Sequence, residues 1–157
     1  MPYIYPRHVM PPRRTALVEF AHQIGATHHL TLNTHADYRL ETAVARLGNW
    51  YRHLSQRLFG RRWLSLPKQQ VIEFVAFPEY TARGHPHFHC ATRIPASHLD
   101  YFEKIAADRW SAVVPTSSLH LRPIAQTEKD YEDLFRYVTK SSSGSDVIHS
   151  SMLLPIA

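Results

Sequence analysis

The chain has almost no cysteine and no long apolar run, and each absence excludes a class of protein. Its single cysteine, Cys90, cannot form an internal disulfide, which favours a reducing compartment. No apolar run approaches the roughly 18 residues that a membrane span needs, and no charged start precedes an apolar stretch as it does in a signal peptide. We therefore expect a cytoplasmic protein that has no membrane partner.

A Walker A phosphate-binding loop is also missing, so the sequence shows no ATPase or helicase segment. The 157 residues suit a single domain, and an apolar content of 44% is enough to form a core. The formal net charge of +5 favours polyanionic partners. A solvated basic face explains any one of the arginines equally well, so the charge alone does not identify the partner.

Proline and serine mark the two ends of the expected domain. Proline occupies four of the first twelve positions, which predicts an extended arm over residues 1–14. The chain becomes serine-rich after Lys140, which predicts a loose tail over residues 142–157. The folded domain is expected between them, over residues 15–141.

Apolar periodicity within this domain predicts the order helix, βαββαβ, helix. The predicted helices cover residues 15–24, 38–59, 97–113 and about 127–140, and the predicted strands cover residues 26–34, 71–79, 86–94 and 118–124. A βαββαβ order forms an antiparallel sheet with helices mainly on one face, the ferredoxin-like or RRM-like arrangement. The predicted fold class is therefore α+β, with a polar sheet face left open.

Two histidines separated by one residue predict a metal site. His87 and His89 point to the same face of their strand because successive side chains alternate, whereas Phe88 points to the other face. The two imidazoles are about 7 Å apart along the strand. They can therefore converge on a single ion.

A glutamate on the preceding strand can complete this site. If Glu79 lies opposite His87, the three-residue loop between the strands ends at Gly84, where such loops favour a left-handed residue. Glu73 shares the same face but lies about 20 Å further along the strand, which makes it a weak competitor. We predict that Glu79, His87 and His89 bind Mn²⁺ or Mg²⁺, with the imidazoles favouring manganese.

The last predicted helix carries a tyrosine and a lysine outside its apolar stripe. Tyr131 belongs to the stripe and is expected to pack in the core. Tyr137 and Lys140 lie outside it and are neighbours at i, i+3. Taken alone, this pair is explained more simply as a surface pair with a half-buried tyrosine.

Taken together, these motifs resemble those of the HUH endonuclease superfamily, and most closely its single-tyrosine replication initiators. Residues 29–33 resemble the first family motif, residues 79–89 the second, and residues 137–140 the third. The resemblance implies metal-dependent, site-specific nicking and joining of single-stranded DNA through a 5′-phosphotyrosine intermediate, which initiates rolling-circle replication. It also implies that Tyr137 is the nucleophile and that Lys140 assists it.

The same resemblance implies the partners. Single-stranded DNA at a replication origin, alone or with an adjacent hairpin or duplex, would lie on the open sheet face, and a host or separate helicase would act with the protein. The cellular site would then be the cytoplasm, or the host nucleus if the host is eukaryotic. The candidate DNA contacts are polar or basic residues of this face and of the hairpin turn: Thr31, Asn33, Arg83, His85 and Arg122.

Three other functions fit part of the pattern. Residues 85–91 resemble the motif of histidine-triad nucleotide hydrolases, which need no metal, but that assignment leaves Glu79 and the Tyr137–Lys140 pair unexplained. A non-enzymatic RRM-like binder would share the fold but would display aromatic side chains on its sheet. A small single-tyrosine transposase of the same superfamily would tend to have glutamine in place of Lys140.

Overall fold

Three α-helices and five strands are present in the computed structural model, which describes residues 13–124 and 147–154. The helices are α1 (Arg13–Ile24), α2 (Leu40–Phe59) and α3 (Leu99–Val113). The strands are β1 (His28–Asn33), β2 (Glu73–Tyr80), β3 (Pro86–Arg93), β4 (Ser118–Pro123) and β5 (Ile148–His149). None of the described helices combines the length and the apolarity that crossing a bilayer requires.

The strands form one sheet in the order β4-β1-β3-β2-β5, and every neighbouring pair is antiparallel. The predicted α+β class, with helices mainly on one face, is therefore confirmed. The helices pack mainly on one face because apolar and polar side chains alternate along the strands. In β1, Leu30 and Leu32 are fully buried in the main core, whereas Thr31 and Asn33 face the other way and are partly exposed.

The main core lies between the sheet and helices α2 and α3, and two tryptophans join its layers. Trp50 and Trp110 are fully buried, and their rings meet edge to face with centroids 6.2 Å apart. The Trp110 indole N–H donates to the Asn33 carbonyl at 2.9 Å. This bond ties α3 to the end of β1, and that end borders the candidate site described below.

Helix α1 packs on the sheet face that is predicted to be open, so that prediction is only half right. Ala21 and Ile24 of α1 form a second apolar cluster with Val75, Phe77 and Ala91 of the sheet. The face is therefore covered at one end and polar at the other. The helix begins at residue 13, two residues before its predicted start, because arginine is a good helix former; the rest of the predicted arm lies outside the described residues.

The predicted loose tail is wrong for residues 147–154. Ile148 and His149 pair with β2, and a short 3-10 helix, Ser150–Leu153, follows them. Ile148 and Leu153 are each 8% exposed and belong to the main core. Apolar side chains within the serine-rich composition are the signal for this strand, because they gain burial by adding to the edge of the sheet.

Glu73 links β5 to the sheet, and this link predicts acid sensitivity. Its two carboxylate oxygens lie 2.9 Å from His149 Nε2 and 2.9 Å from Arg93 Nη1. The hydrogen bond with His149, followed by the charge of Arg93, lowers the pKa of Glu73 from its ordinary 4.5, although partial burial acts in the opposite direction. The resulting stability is present above about pH 4.5 and is lost as the pH falls through the lowered pKa.

We therefore expect the free energy of unfolding to fall more steeply below pH 4.5 in the wild-type protein than in Glu73→Gln. Urea unfolding measured from pH 6 to pH 3 tests this, since Gln keeps the shape of the side chain and removes its titration. Parallel pH profiles for the two proteins would show that Glu73 has no part in acid unfolding.

Candidate metal centre

The β2–β3 hairpin has the predicted register, with Glu79 directly opposite His87. In the turn, the Thr81 N–H donates to the His85 carbonyl at 2.9 Å, and the Gly84 N–H donates to the Thr81 carbonyl at 2.8 Å. Gly84 has φ +81°, the left-handed conformation expected at the end of a three-residue loop. Local turn geometry therefore places the glutamate beside the histidines.

Gly84→Ala is expected to lower the free energy of unfolding by about 1 kcal/mol, because an L-residue is strained at this backbone angle. No atom lies within 4 Å of an added Cβ, so backbone strain is the whole cost. Arg83→Ala is the matched control, since Arg83 is an exposed residue of the same turn. Urea unfolding at neutral pH measures both variants. Equal stability of Gly84→Ala and the wild-type protein would contradict the role of the left-handed glycine.

Three potential ligand atoms converge at the polar end of the sheet face. Glu79 Oε2 lies 3.1 Å from Nε2 of His87 and 3.1 Å from Nε2 of His89, and the two nitrogens are 3.2 Å apart. Glu79 and His89 are 8% and 4% exposed. Within residues 13–124 and 147–154, this is the one group of three or more potential ligand side chains close enough to hold a metal ion.

The spacing and chemistry of this group fit a divalent cation. Around an octahedral ion with bonds of about 2.1 Å, neighbouring ligand atoms are about 3.0 Å apart, close to the observed 3.1 and 3.2 Å. Two imidazole nitrogens and one carboxylate oxygen suit several divalent metals, Mn²⁺ and Mg²⁺ among them. Three protein ligands also leave coordination positions open for a substrate.

Strand pairing arranges the site-bearing face in three rows across β2, β3, β1 and β4. The first row is Glu79, His87, Asn33 and Ser118; the second is Phe77, His89, Thr31 and His120; the third is Val75, Ala91, His29 and Arg122. The apolar members of the second and third rows lie in the cluster with α1. The metal ligands therefore lie next to the part of the sheet face on which α1 packs.

The rows locate the predicted DNA contacts. Thr31 and Asn33 are the direct neighbours of the two histidine ligands, and Arg122 lies on the same face in the edge strand β4. Arg83 and His85 lie in the hairpin turn, where Arg83 is exposed and His85 is half-buried. The structure thus brings three of the five to the ligand-bearing face and places the other two at its end.

The structure adds a buried histidine that the sequence pattern did not single out. His29 Nε2 lies 3.1 Å from Nδ1 of His89. Burial, followed by the charges of His89 and Arg122, lowers the pKa of His29 to about 4. Burial also lowers the pKa of His89, against the opposing effect of Glu79. The uncharged form, which alone can ligate a metal, is therefore favoured for His89.

His35 is a second residue near the site with unusual geometry. It adopts φ +50°, the one positive value among described non-glycine residues, two residues after the end of β1. Its Nε2 lies 2.7 Å from the Ser118 hydroxyl, which also accepts a hydrogen bond from the Asn33 amide at 3.2 Å. Strained backbone of this kind is concentrated at functional sites. No sequence pattern pointed to His35, since a lone histidine after a strand carries no signal.

Tyr137 and Lys140 lie outside the described residues. The flanking residues, however, are described: Ile124 and Val147 both pack in the apolar cluster under α1. The described residues on either side of the segment 125–146 therefore lie on the face that carries the metal group. Tyr137 lies near the middle of this segment.

Sequence comparison identifies the family. Residues 26–142 match the family of replication-associated protein ORF2/G2P. The chain belongs to this family. The matched range contains the sheet from β1 to β4, the three clustered ligands and the Tyr137–Lys140 pair. Membership makes this a replication-associated protein and implies that it binds DNA at an origin.

Other comparisons add little beyond the family. The crystal structure of the hypothetical protein ORF119 from Sulfolobus islandicus rod-shaped virus 1 is similar, with a TM-score of 0.48 and 16% sequence identity. The similarity covers 81% of this chain and 91% of that one. No curated protein matches the sequence.

Proposed function

We propose that this protein nicks and rejoins single-stranded DNA at a replication origin as a single-tyrosine initiator of the HUH type, and thereby starts rolling-circle replication. The observation that carries the proposal is the triangle of Glu79, His87 and His89 on a sheet face, in a member of a replication-associated family. The Tyr137–Lys140 pair supplies the nucleophile and a cation.

The reaction exchanges one phosphate ester for another. The Tyr137 hydroxyl attacks the scissile phosphorus and loses its proton to solvent or a base. A bond from phosphorus to the tyrosine oxygen forms as the bond to the 3′-oxygen breaks, and that oxygen takes up a proton. The products are a 5′-phosphotyrosine link and a free 3′-hydroxyl. The exchange is reversible because its two sides are close to isoenergetic. Attack by a 3′-hydroxyl on the phosphotyrosine link therefore rejoins the strand and releases the tyrosine.

The nucleophile needs activation because a tyrosine with a pKa of about 10 is only about 0.1% ionised at neutral pH. The Lys140 ammonium favours the phenolate and neutralises phosphate charge. A divalent ion bound by Glu79, His87 and His89 would polarise a non-bridging phosphate oxygen. The two motifs would therefore act on the same phosphate.

Chain connectivity supports delivery of Tyr137 to this phosphate. Ile124 and Val147, the described residues on either side of the segment that carries it, belong to the same apolar cluster as Ala91. Ala91 and His87 are four residues apart on β3, about 13 Å. A segment the length of residues 125–146 easily spans that distance.

The sheet face offers DNA a polar and basic surface next to the ligands. Thr31 and Asn33 can donate hydrogen bonds to phosphate oxygens, and Arg122 adds a positive charge at the edge strand. Arg83 and His85 extend the surface along the hairpin turn. Such contacts hold a strand without reading its sequence.

Covalent capture tests the proposal without knowledge of the origin. The protein is incubated with a randomised pool of single-stranded oligonucleotides and Mn²⁺, and DNA that survives a denaturing wash is sequenced. We expect a slower protein band on a denaturing gel, loss of this band with EDTA, and a nucleotide remnant on Tyr137 by mass spectrometry. Absence of an adduct, or a remnant on a histidine, would overturn the proposal.

The alternatives lack such support. A histidine triad would require His85 to join His87 and His89, but His85 lies in the turn and Glu79 joins them instead. An RRM-like binder would expose aromatic rings on the sheet, whereas Phe77 on this face is 6% exposed beneath α1. A single-tyrosine transposase would share the chemistry, and the sequences captured from the pool would distinguish it.

A further inference from the structure

We propose that His29 is a positioning residue of the metal centre, which holds His89 in the tautomer that directs the Nε2 lone pair at the ion. This inference rests on the metal site of the proposed function and goes beyond its three ligands.

The contact between the two histidines is buried and direct. His29 Nε2 lies 3.1 Å from His89 Nδ1, and the ring centroids are 5.3 Å apart. His29 is 8% exposed and His89 is 4% exposed. The Thr31 hydroxyl also lies near this nitrogen, at the longer distance of 3.4 Å. His29 is therefore the better placed partner of His89 Nδ1.

Proton sharing links this contact to metal binding. Two ring nitrogens at hydrogen-bond distance need one proton between them. If His29 donates, a neutral His89 carries its own proton on Nε2, which then cannot ligate a metal. If His89 donates from Nδ1, its Nε2 presents a lone pair toward Glu79 and His87. Metal binding thus requires His29 to act as the acceptor.

Packing explains why a residue on β1 reaches this nitrogen. Ala91 lies directly opposite His29, and His89 lies two residues away on the same face of β3. The small alanine side chain leaves space for the His29 ring to lean diagonally over β3 toward His89. By contrast, His87 Nδ1 is buried and has no hydrogen-bond partner among the described residues. Within the described part of the chain, support through the second ring nitrogen is therefore found at His89 and not at His87.

A matched pair of amides tests the role of His29. In His29→Gln the amide oxygen can occupy the place of Nε2, whereas in His29→Asn the amide is too short to reach His89. The full-length variants are titrated with Mn²⁺ by calorimetry, with the free Mn²⁺ electron-spin signal as a second measure. We expect His29→Asn to weaken the Kd by about 10- to 100-fold, the usual cost of losing such a partner. His29→Gln should retain an affinity within about 3-fold of the wild-type protein.

His28→Phe is the control for loss of a buried histidine. His28 is also buried, but it lies one residue away on the opposite face and contacts the Thr27 hydroxyl at 2.8 Å. We expect it to bind Mn²⁺ like the wild-type protein. Thermal unfolding without metal is measured for every variant, because a merely structural role would lower these midpoints without separating Gln from Asn.

The outcomes distinguish this inference from the proposed function. Equal Mn²⁺ affinity of His29→Asn, His29→Gln and the wild-type protein would overturn the role of His29 and leave the metal site intact. An equally large loss in Thr31→Val would assign the role to Thr31 instead. If the wild-type protein binds no Mn²⁺, or if Glu79→Gln binds it unchanged, the proposed metal site fails and the role of His29 fails with it.

Discussion

Tyr137→Phe is expected to abolish the covalent adduct with single-stranded DNA. The substitution removes one oxygen atom and with it the only atom that the proposed reaction joins to phosphorus. Loss of a nucleophile in other enzymes of covalent mechanism lowers the rate by on the order of 10⁴-fold or more, so the adduct should fall below detection. A labelled oligonucleotide, taken from the captured pool, allows the rate to be followed on a denaturing gel.

Tyr131→Phe is the matched control, because the same chemical change is made in the same predicted helix. Tyr131 belongs to the apolar stripe and is expected to keep full adduct formation. DNA binding by Tyr137→Phe, measured by fluorescence anisotropy, should stay near the wild-type level, since phenylalanine keeps the ring. Adduct formation by Tyr137→Phe, or its loss in Tyr131→Phe, would show that the nucleophile is assigned to the wrong residue.

Glu79→Gln is expected to produce the second largest effect, a loss of nicking by about 10²- to 10⁴-fold. This range corresponds to the several kcal/mol that a bound metal contributes to charge stabilisation in a transition state. The variant keeps the shape of the side chain and one acceptor oxygen, but it removes the negative charge that compensates the ion. The residue lies 3.1 Å from both histidine nitrogens, so its replacement affects the whole ligand set.

The same variant has a readout that does not depend on DNA. A ligand present at 100 times its Kd stabilises a folded protein by about 2.7 kcal/mol, so Mn²⁺ should raise the thermal midpoint of the wild-type protein but not that of Glu79→Gln. Glu41→Gln is the control, since Glu41 is exposed in the first turn of α2. If Glu79→Gln still responds to Mn²⁺ and still nicks DNA, the ion is bound elsewhere or is not needed.

The hairpin is the part of the site that could be predicted from the sequence. Its register depends on a three-residue loop ending in Gly84 and on the alternation of side chains along two adjacent strands. Both are local properties, because the residues involved are close in sequence. The convergence of Glu79, His87 and His89 therefore follows from the sequence, and the structure confirms the register that produces it.

Contacts between distant segments could not be predicted in this way. The position of α1 on the site-bearing face depends on contacts of its apolar side chains with Val75 and Phe77 of β2, which are far from α1 in the sequence. The pairing of Ile148 with the edge of β2 likewise outweighs the serine-rich composition around it. Burial of apolar surface determines the position of α1 and the pairing of Ile148. The secondary-structure propensity of the local sequence does not predict this burial.

Sequence alone was enough to predict the order of α1 to α3 and β1 to β4, the turn, and an acid with two imidazoles as the ligands. The neighbours of those ligands depend on the folded sheet, because β1 and β3 are adjacent in it although His29 and His89 are far apart in the chain. Side-chain alternation determines the sheet face to which a residue points, whereas strand order determines which residues of other strands it contacts on that face. The partner of His89 and the extent of the open face therefore became visible only in the assembled sheet.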